Sequence, residues 1–153
     1  MALFLAQMER YTQCRKQVQK DRTMKVTSLD HLVLTVSDIA ATMTFYCDVL
    51  GMEPQLFEAA DGTTRNAVTF GLQKINLHKA DAPFAPHADK TMPETADLCL
   101  LADSPLDEWI THLNTHNVEV IEGPVARSGP RGKITSIYLR DPDLNLIEVS
   151  IYA

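Results

Sequence analysis

The feature that most constrains this 153-residue chain is a pattern written twice. Residues 28–36 are strand-like, and Asp38 then opens a helical pattern. Ile39, Met43, Tyr46 and Leu50 share one face of it, and Gly51 stands where a C-terminal cap belongs. Three β-like runs follow at 53–59, 64–70 and 74–79, with Asp61-Gly62 and Gly71-Leu72-Gln73 as turns. Residues 80–94 hold Pro83, Pro86 and Pro93 and read as a linker. The order then recurs. A strand at 95–101 leads to a helix opened by Ser104-Pro105, with an S-x-x-D cap and an apolar face of Leu106, Trp109, Ile110 and Leu113. Strands at 118–121, 133–139 and 146–152 complete the second half. Each half is βαβββ and too small to bury a comfortable core alone, which favours a paired architecture.

Laying one half over the other exposes four polar positions. His31 falls over Asp97, and His78 falls over Glu148, each among apolar neighbours. Strand parity groups them in the same way. Leu32, Leu34 and Val36 share a face that can pack on a helix, while His31, Val33 and Thr35 face the other way. Ile147, Val149 and Ile151 likewise oppose Glu148. A curved sheet whose second face encloses a cavity would gather these groups.

Charge and composition narrow the partners. The net charge is −6, but residues 1–23 carry +3, so the remainder carries −9. Such a domain is not a general nucleic-acid or anionic-membrane surface, and no apolar run approaches the ~20 residues of a membrane span. Leu3, Phe4, Met8 and Tyr11 give the basic leader a helical spacing. It reads as a targeting peptide, an upstream start or vector-derived leader, or a helix lying on the domain. Cys14, Cys47 and Cys99 are odd in number and lack C-x-x-C spacing, which argues against a disulfide framework and fits the reducing cytoplasm.

The segments SLDHLVLTVSDIAATMTFYCDVLGM, INLH and SIYLRDPDLNLIEVS resemble the vicinal-oxygen-chelate superfamily, the glyoxalase/bleomycin-resistance/dioxygenase group. The nearest likeness is to small lactoylglutathione-lyase-like, dioxygenase-related or virulence-associated members. The resemblance covers residues 26–152, as module one (26–79), linker (80–94) and module two (95–152). It implies an α+β fold in which two βαβββ modules form an eight-stranded incomplete barrel around one divalent metal. By position, His31, His78 and Glu148 become the ligands. Two imidazoles and one carboxylate leave open positions for a chelating substrate, without distinguishing Fe, Mn, Ni or Zn. Asp97 departs from the His common in lyases of this group. It stands as a fourth ligand, a hydrogen-bond partner for His, a base facing substrate, or an exposed strand-starting residue.

Further positions complete the expected site. Tyr138 and Glu148 are equidistant from the 141–145 turn, so a regular hairpin sets them opposite each other, the phenol near the metal or packed in the cavity wall. The stretch 127–133 reads as a loop whose Arg127, Arg131 and Lys133 hold an anionic substrate, or as a solvated loop. Cys99 shares the Asp97 face and lines the pocket. Leu144 replaces the glycine common in the family's turn, which makes the 138–148 register a point to test.

Three function classes follow from the resemblance. The first is glyoxalase I (lactoylglutathione lyase)-like chemistry on a small oxygenated substrate, with enediolate stabilisation and Glu148 or Asp97 moving the proton. The second is extradiol ring cleavage with Fe(II), followed by thiol transfer to an epoxide antibiotic as a smaller enzymatic option. The third is a non-catalytic, ligand-sequestering protein. A homodimer is expected, with sites shared between chains.

Overall fold

The structure is a computed structural model that describes residues 24–153; residues 1–23, for which the sequence predicts an extension or leader, lie outside the described residues. Residues 24–30 are exposed and carry no regular secondary structure before β1 (His31–Val36). Asp38 caps α1 (Ile39–Thr44), its Oδ1 accepting from the amides of Ala40 at 2.8 Å and Ala41 at 3.1 Å. The last turns widen into a π-helical segment, Phe45–Val49, and the chain turns out at Gly51, whose φ of 71° suits a residue without Cβ. Strands β2 (Glu53–Glu58), β3 (Thr64–Phe70) and β4 (Gln73–Lys79) follow. The second module runs β5 (Asp97–Leu101), α2 (Leu106–Thr115), β6 (Glu122–Gly129), β7 (Gly132–Arg140) and β8 (Leu146–Tyr152).

Both modules fold as the repeat predicts. The sheets are ordered β1-β4-β3-β2 and β5-β8-β7-β6, each with one parallel pair (β1 with β4, β5 with β8) and antiparallel partners beyond it. The helix-facing sides of both sheets meet in a single core. Val36, Tyr46, Ile75 and Leu77 from module one join Leu113, Ile137, Leu139 and Ile147 from module two, all nearly or fully buried. Each such side chain contributes about 1.5–3 kcal/mol of apolar burial, so neither module keeps its core without the other. Among the described residues, no helix is long and apolar enough to cross a membrane.

Two local expectations change. Ser104 does not cap α2: Pro105 holds the extended cap position, and the Ser104 hydroxyl donates instead to Asp103 Oδ1 at 3.1 Å. The serine sits one residue too early to reach the free amides of the first turn. The sixth strand is not 118–121 but Glu122–Gly129, so most of the expected basic loop is strand and only Pro130 and Arg131 form the turn. The sequence EGPVARSG has poor strand propensity, but β6 is an edge strand, where a proline and a bulge between Glu122 and Val125 are tolerated. Gly123 is required at that bulge: its φ is 116°, and a Cβ there would lie 2.5 Å from the Ser136 carbonyl oxygen.

The β7–β8 turn joins the modules. Asp141 is buried, and four donors converge on its carboxylate. Oδ1 accepts from the amides of Asp143 (3.0 Å) and Asn145 (2.9 Å), Oδ2 from Asn145 Nδ2 (2.9 Å) and the Tyr46 hydroxyl (3.1 Å). Burial first, and then Asp141, push the Tyr46 phenol well above its ordinary pKa, so it remains a donor. Asp143 accepts the Ser37 amide with both oxygens at 3.1 Å, and Asn145 Oδ1 accepts the Ala96 amide at 2.9 Å. Leu144 occupies the left-handed region at φ 61° with its side chain exposed. The turn therefore keeps the backbone that a glycine would adopt, and the Tyr138–Glu148 pairing holds.

Urea unfolding is expected to show Tyr46→Phe less stable by about 1–2 kcal/mol, for one lost hydrogen bond to a charged acceptor. Asp141→Ala, which strands several buried donors, is expected to cost about 3 kcal/mol or more. Leu144→Gly relieves a left-handed leucine and is expected to stabilise by about 0.5–1 kcal/mol.

Candidate functional site

The ladders define two faces that point away from the helices. On module one, His31 and Thr35 from β1 share that face with Asn76 and His78 from β4 and Arg65 from β3. His78 is only 5% exposed, and among the described residues neither its Nδ1 nor Asn76 Oδ1 has a hydrogen-bond partner. Phe84 of the 80–94 segment folds over this face. Its ring meets His78 edge-on at 5.2 Å, and the Arg65 guanidinium stacks on it at 3.9 Å while pairing with Asp61 at 2.6 Å. Burial, then Arg65 and His87, lower the His78 pKa, so the imidazole is neutral at pH 7.

On module two, β5, β8 and β7 bring Asp97, Cys99, Glu148, Ser150, Ser136 and Tyr138 to the equivalent face. Glu148 is half-buried, and its Oε1 accepts from Ser136 Oγ at 2.5 Å and Ser150 Oγ at 3.1 Å. The two hydroxyls lie 2.8 Å apart, and Cys99 Sγ is 3.3 Å from Ser150 Oγ. A carboxylate fed by hydroxyls is held in one orientation, with its charge compensated. The Cys99 pKa is raised, chiefly by burial, so it is a thiol rather than a thiolate. Tyr138 is also raised, by burial first, against the lowering effect of Arg127; it is a neutral phenol whose oxygen accepts from Arg127 Nε at 2.9 Å. Asp97 is exposed at the start of β5.

A cavity of about 470 Å³ opens on this face, with Cys99, Glu148, Arg127 and Arg131 in its lining. Lys133 does not join them: on β7 it alternates to the face opposite Ile134, Ser136 and Tyr138. Two serines, Tyr152, Asn76 and Phe84 complete the two faces and were not singled out from the sequence. Ser136 and Ser150 are legible in retrospect as a polar cross-strand pair, one step along each strand from Tyr138 and Glu148 on the same face.

The ladders also revise the equivalence between halves. His31 pairs with Lys74 and Asp97 with Leu146, so Asn76, not His78, is the counterpart of Glu148, and His78 is the counterpart of Ser150. Alternation repeats every two residues, so a two-residue offset leaves every face unchanged and parity cannot detect it.

This geometry decides whether His31, His78 and Glu148 fit one ion within one chain. His31 is half-exposed, with Nδ1 2.7 Å from Asp30 Oδ1. His78 pairs with Thr35, four residues along the same strand, about 13 Å at the usual rise. Metal–ligand bonds of about 2 Å do not bridge that separation, and Glu148 belongs to the other sheet. Among the described residues, no group of three or more His, Cys, Asp or Glu lies close enough to hold a metal. Within one chain the three donors do not fit the ion.

The family model described as Glyoxalase/Bleomycin resistance protein/Dioxygenase superfamily matches residues 28–149. The chain belongs to that superfamily. Virulence protein STM3117 of Salmonella typhimurium is 45% identical over 129 residues, 84% of this chain and 87% of that protein. An integron cassette protein from the mobile metagenome of V. cholerae superposes with a TM-score of 0.80 at 50% identity, over 86% of this chain and 99% of that one. A lactoylglutathione lyase from Agrobacterium tumefaciens gives 0.61 at 25% identity, over 83% and 95%. Superfamily members commonly use a divalent metal, act on small molecules and form dimers, and many are enzymes.

The lowered pKa of His78 has a signed consequence for stability in metal-free protein. The unfolded chain, with an ordinary imidazole pKa of about 6.5, takes up the proton more readily than the fold does. The contribution is therefore complete above about pH 6.5 and lost as the pH falls through and below it. Urea midpoints at pH 7.5 and pH 5 are expected to converge in His78→Gln relative to the wild type.

Proposed function

We propose that this protein is an enzyme of lactoylglutathione-lyase-like type, transferring a proton on a small oxygenated substrate. The observation that carries this reading is the Glu148 carboxylate, oriented by Ser136 and Ser150 on the open face of a sheet beside a 470 Å³ cavity. A base must be held in one direction, partly desolvated and within reach of substrate, and Glu148 meets those requirements. Its Oε1 is committed to the serine hydroxyls, which leaves Oε2 as the oxygen open to substrate or to an ion. Tyr138 is across the ladder from Glu148, a neutral phenol able to donate to a developing oxyanion. Asp97 sits on the same face, two residues from Cys99, as the second carboxylate able to move a proton. Cys99 and Arg131 supply the substrate-facing wall, and Arg127 holds the Tyr138 hydroxyl.

The protein would work as a cytoplasmic homodimer with each site shared between copies. His31 and His78 stand too far apart along one sheet to share an ion, so an ion bound by both takes them from different chains. One divalent ion per site, from Fe, Mn, Ni or Zn, held by His31, His78 and Glu148 across that interface, would supply Lewis-acid polarisation of substrate oxygens.

Light scattering at micromolar concentration is expected to give twice the chain mass, and metal analysis about one divalent ion per chain. Turnover of the methylglyoxal–glutathione adduct with Ni(II), Zn(II) or Co(II) is expected to fall at least a hundredfold in Glu148→Gln. Oxygen uptake with Fe(II) and a catechol, without adduct turnover, would replace the lyase with ring cleavage. A metal-free monomer with His78→Ala unchanged would overturn the shared metal site.

A further inference from the structure

The three cations expected to serve one purpose are separated by the fold. Arg127 on β6 is engaged: its guanidinium donates to Tyr138 Oη (2.9 Å), the Ala126 carbonyl (3.2 Å) and Glu122 Oε1 (2.7 Å). Lys133 faces the other side of the sheet. Arg131 alone stands at the hairpin tip with its charge uncommitted. None of the ion pairs among the described residues includes it.

Arg131 is nevertheless held in place. Its guanidinium carbon lies 4.1 Å above the centre of the Tyr152 ring, and its backbone amide donates to Tyr152 Oη at 3.3 Å. That phenol packs so closely on the hairpin that a Cβ on Gly129 would lie 2.5 Å from its oxygen. Gly129 thus admits Tyr152, which supports Arg131 by ring and hydroxyl together. The ring supports the guanidinium from one side, and Arg131 is exposed, so its paired N–H donors stay accessible to a ligand. Arg131 and Tyr152 line both the 470 Å³ cavity containing Glu148 and an adjoining cavity of about 370 Å³. The cavity also offers apolar surface from Leu101, Pro130 and Ile134.

From this arrangement we infer that Arg131, stacked on Tyr152, is the subsite that selects a carboxylate-bearing substrate, and that Arg127 instead positions Tyr138. A planar carboxylate matches the guanidinium edge through two parallel hydrogen bonds, and the apolar wall takes the carbon skeleton between that anchor and Glu148. The inference names the substrate class of the site proposed above and rests on that reading only for its link to turnover. Binding itself requires neither metal nor reaction.

The experiment uses the metal-free 153-residue chain titrated with benzoate and with benzamide, its uncharged counterpart, followed by amide chemical shifts. Wild type is expected to prefer benzoate at least tenfold. Arg131→Met is expected to remove that preference, and Arg131→Lys, a point charge without the paired edge, to retain only part of it. Tyr152→Leu, which removes the supporting ring, is expected to weaken benzoate more than Tyr152→Phe, which keeps it. Arg127→Met is expected to keep the preference. A preference that survives Arg131→Met, one that is lost in Arg127→Met instead, or none in wild type would overturn the inference. Loss of the lyase reading would show in the turnover assay and leave these titrations unchanged.

Discussion

The buried carboxylate of Asp141 is the interaction on which the arrangement of the two modules depends. It gathers two amides of its own turn, an asparagine side chain and the hydroxyl of Tyr46 from the first module's helical segment. A buried charge is costly unless its oxygens are filled, and here the donors that fill them come from both halves of the chain. Asp143 and Asn145 extend the same turn to Ser37 and Ala96, just after β1 and just before β5. One five-residue turn therefore ties together the end of β1, the start of β5 and the helical segment of module one. The apolar core supplies most of the free energy, but it lacks direction; these hydrogen bonds select one packing from the many that would bury similar area.

That junction lies on the helix side, and it leaves the chemistry on the other. Each sheet keeps an outward face with polar groups set among strands, one around Asn76 and His78, the other around Glu148. The faces are differently finished. Glu148 has its serines, whereas Asn76 Oδ1 and His78 Nδ1 are buried without partners among the described residues, and Phe84 packs against His78. Their separation onto two sheets explains why residues that sequence comparison groups as one ligand set do not meet within one chain. A site drawn from both faces requires a second copy, because the shared core already fixes the relation between the two sheets of one chain.

Much of this was legible before any coordinates. The duplicated βαβββ order, the helix start at Asp38, the turn-out at Gly51 and the outward faces carrying His31 in one module and Asp97 and Glu148 in the other follow from local chemistry and two-residue alternation. The Tyr138–Glu148 pair followed from counting outward from a turn. Errors arose where local signals were weak. Residues 122–129 contain two glycines and a proline, yet form an edge strand because β7 supplies the hydrogen bonds. The sequence leaves the offset between halves open, because a shift of two residues is invisible to alternation. Ser136 and Ser150 are ordinary serines in sequence, and they acquire meaning only when β7 and β8 place them across from each other beside a carboxylate.

The sequence by itself determined which residues form strands and helices in most of the chain, the family to which it belongs, and which side chains turn away from the core. These properties depend on periods of two and 3.6 residues and on short-range capping, all written within a few positions. Tertiary structure alone decided that Arg127 is engaged while Arg131 stands free on Tyr152, and that His31 and His78 lie four residues apart along one sheet. Those facts depend on strand register and on contacts between residues distant in the chain, which local alternation leaves undetermined.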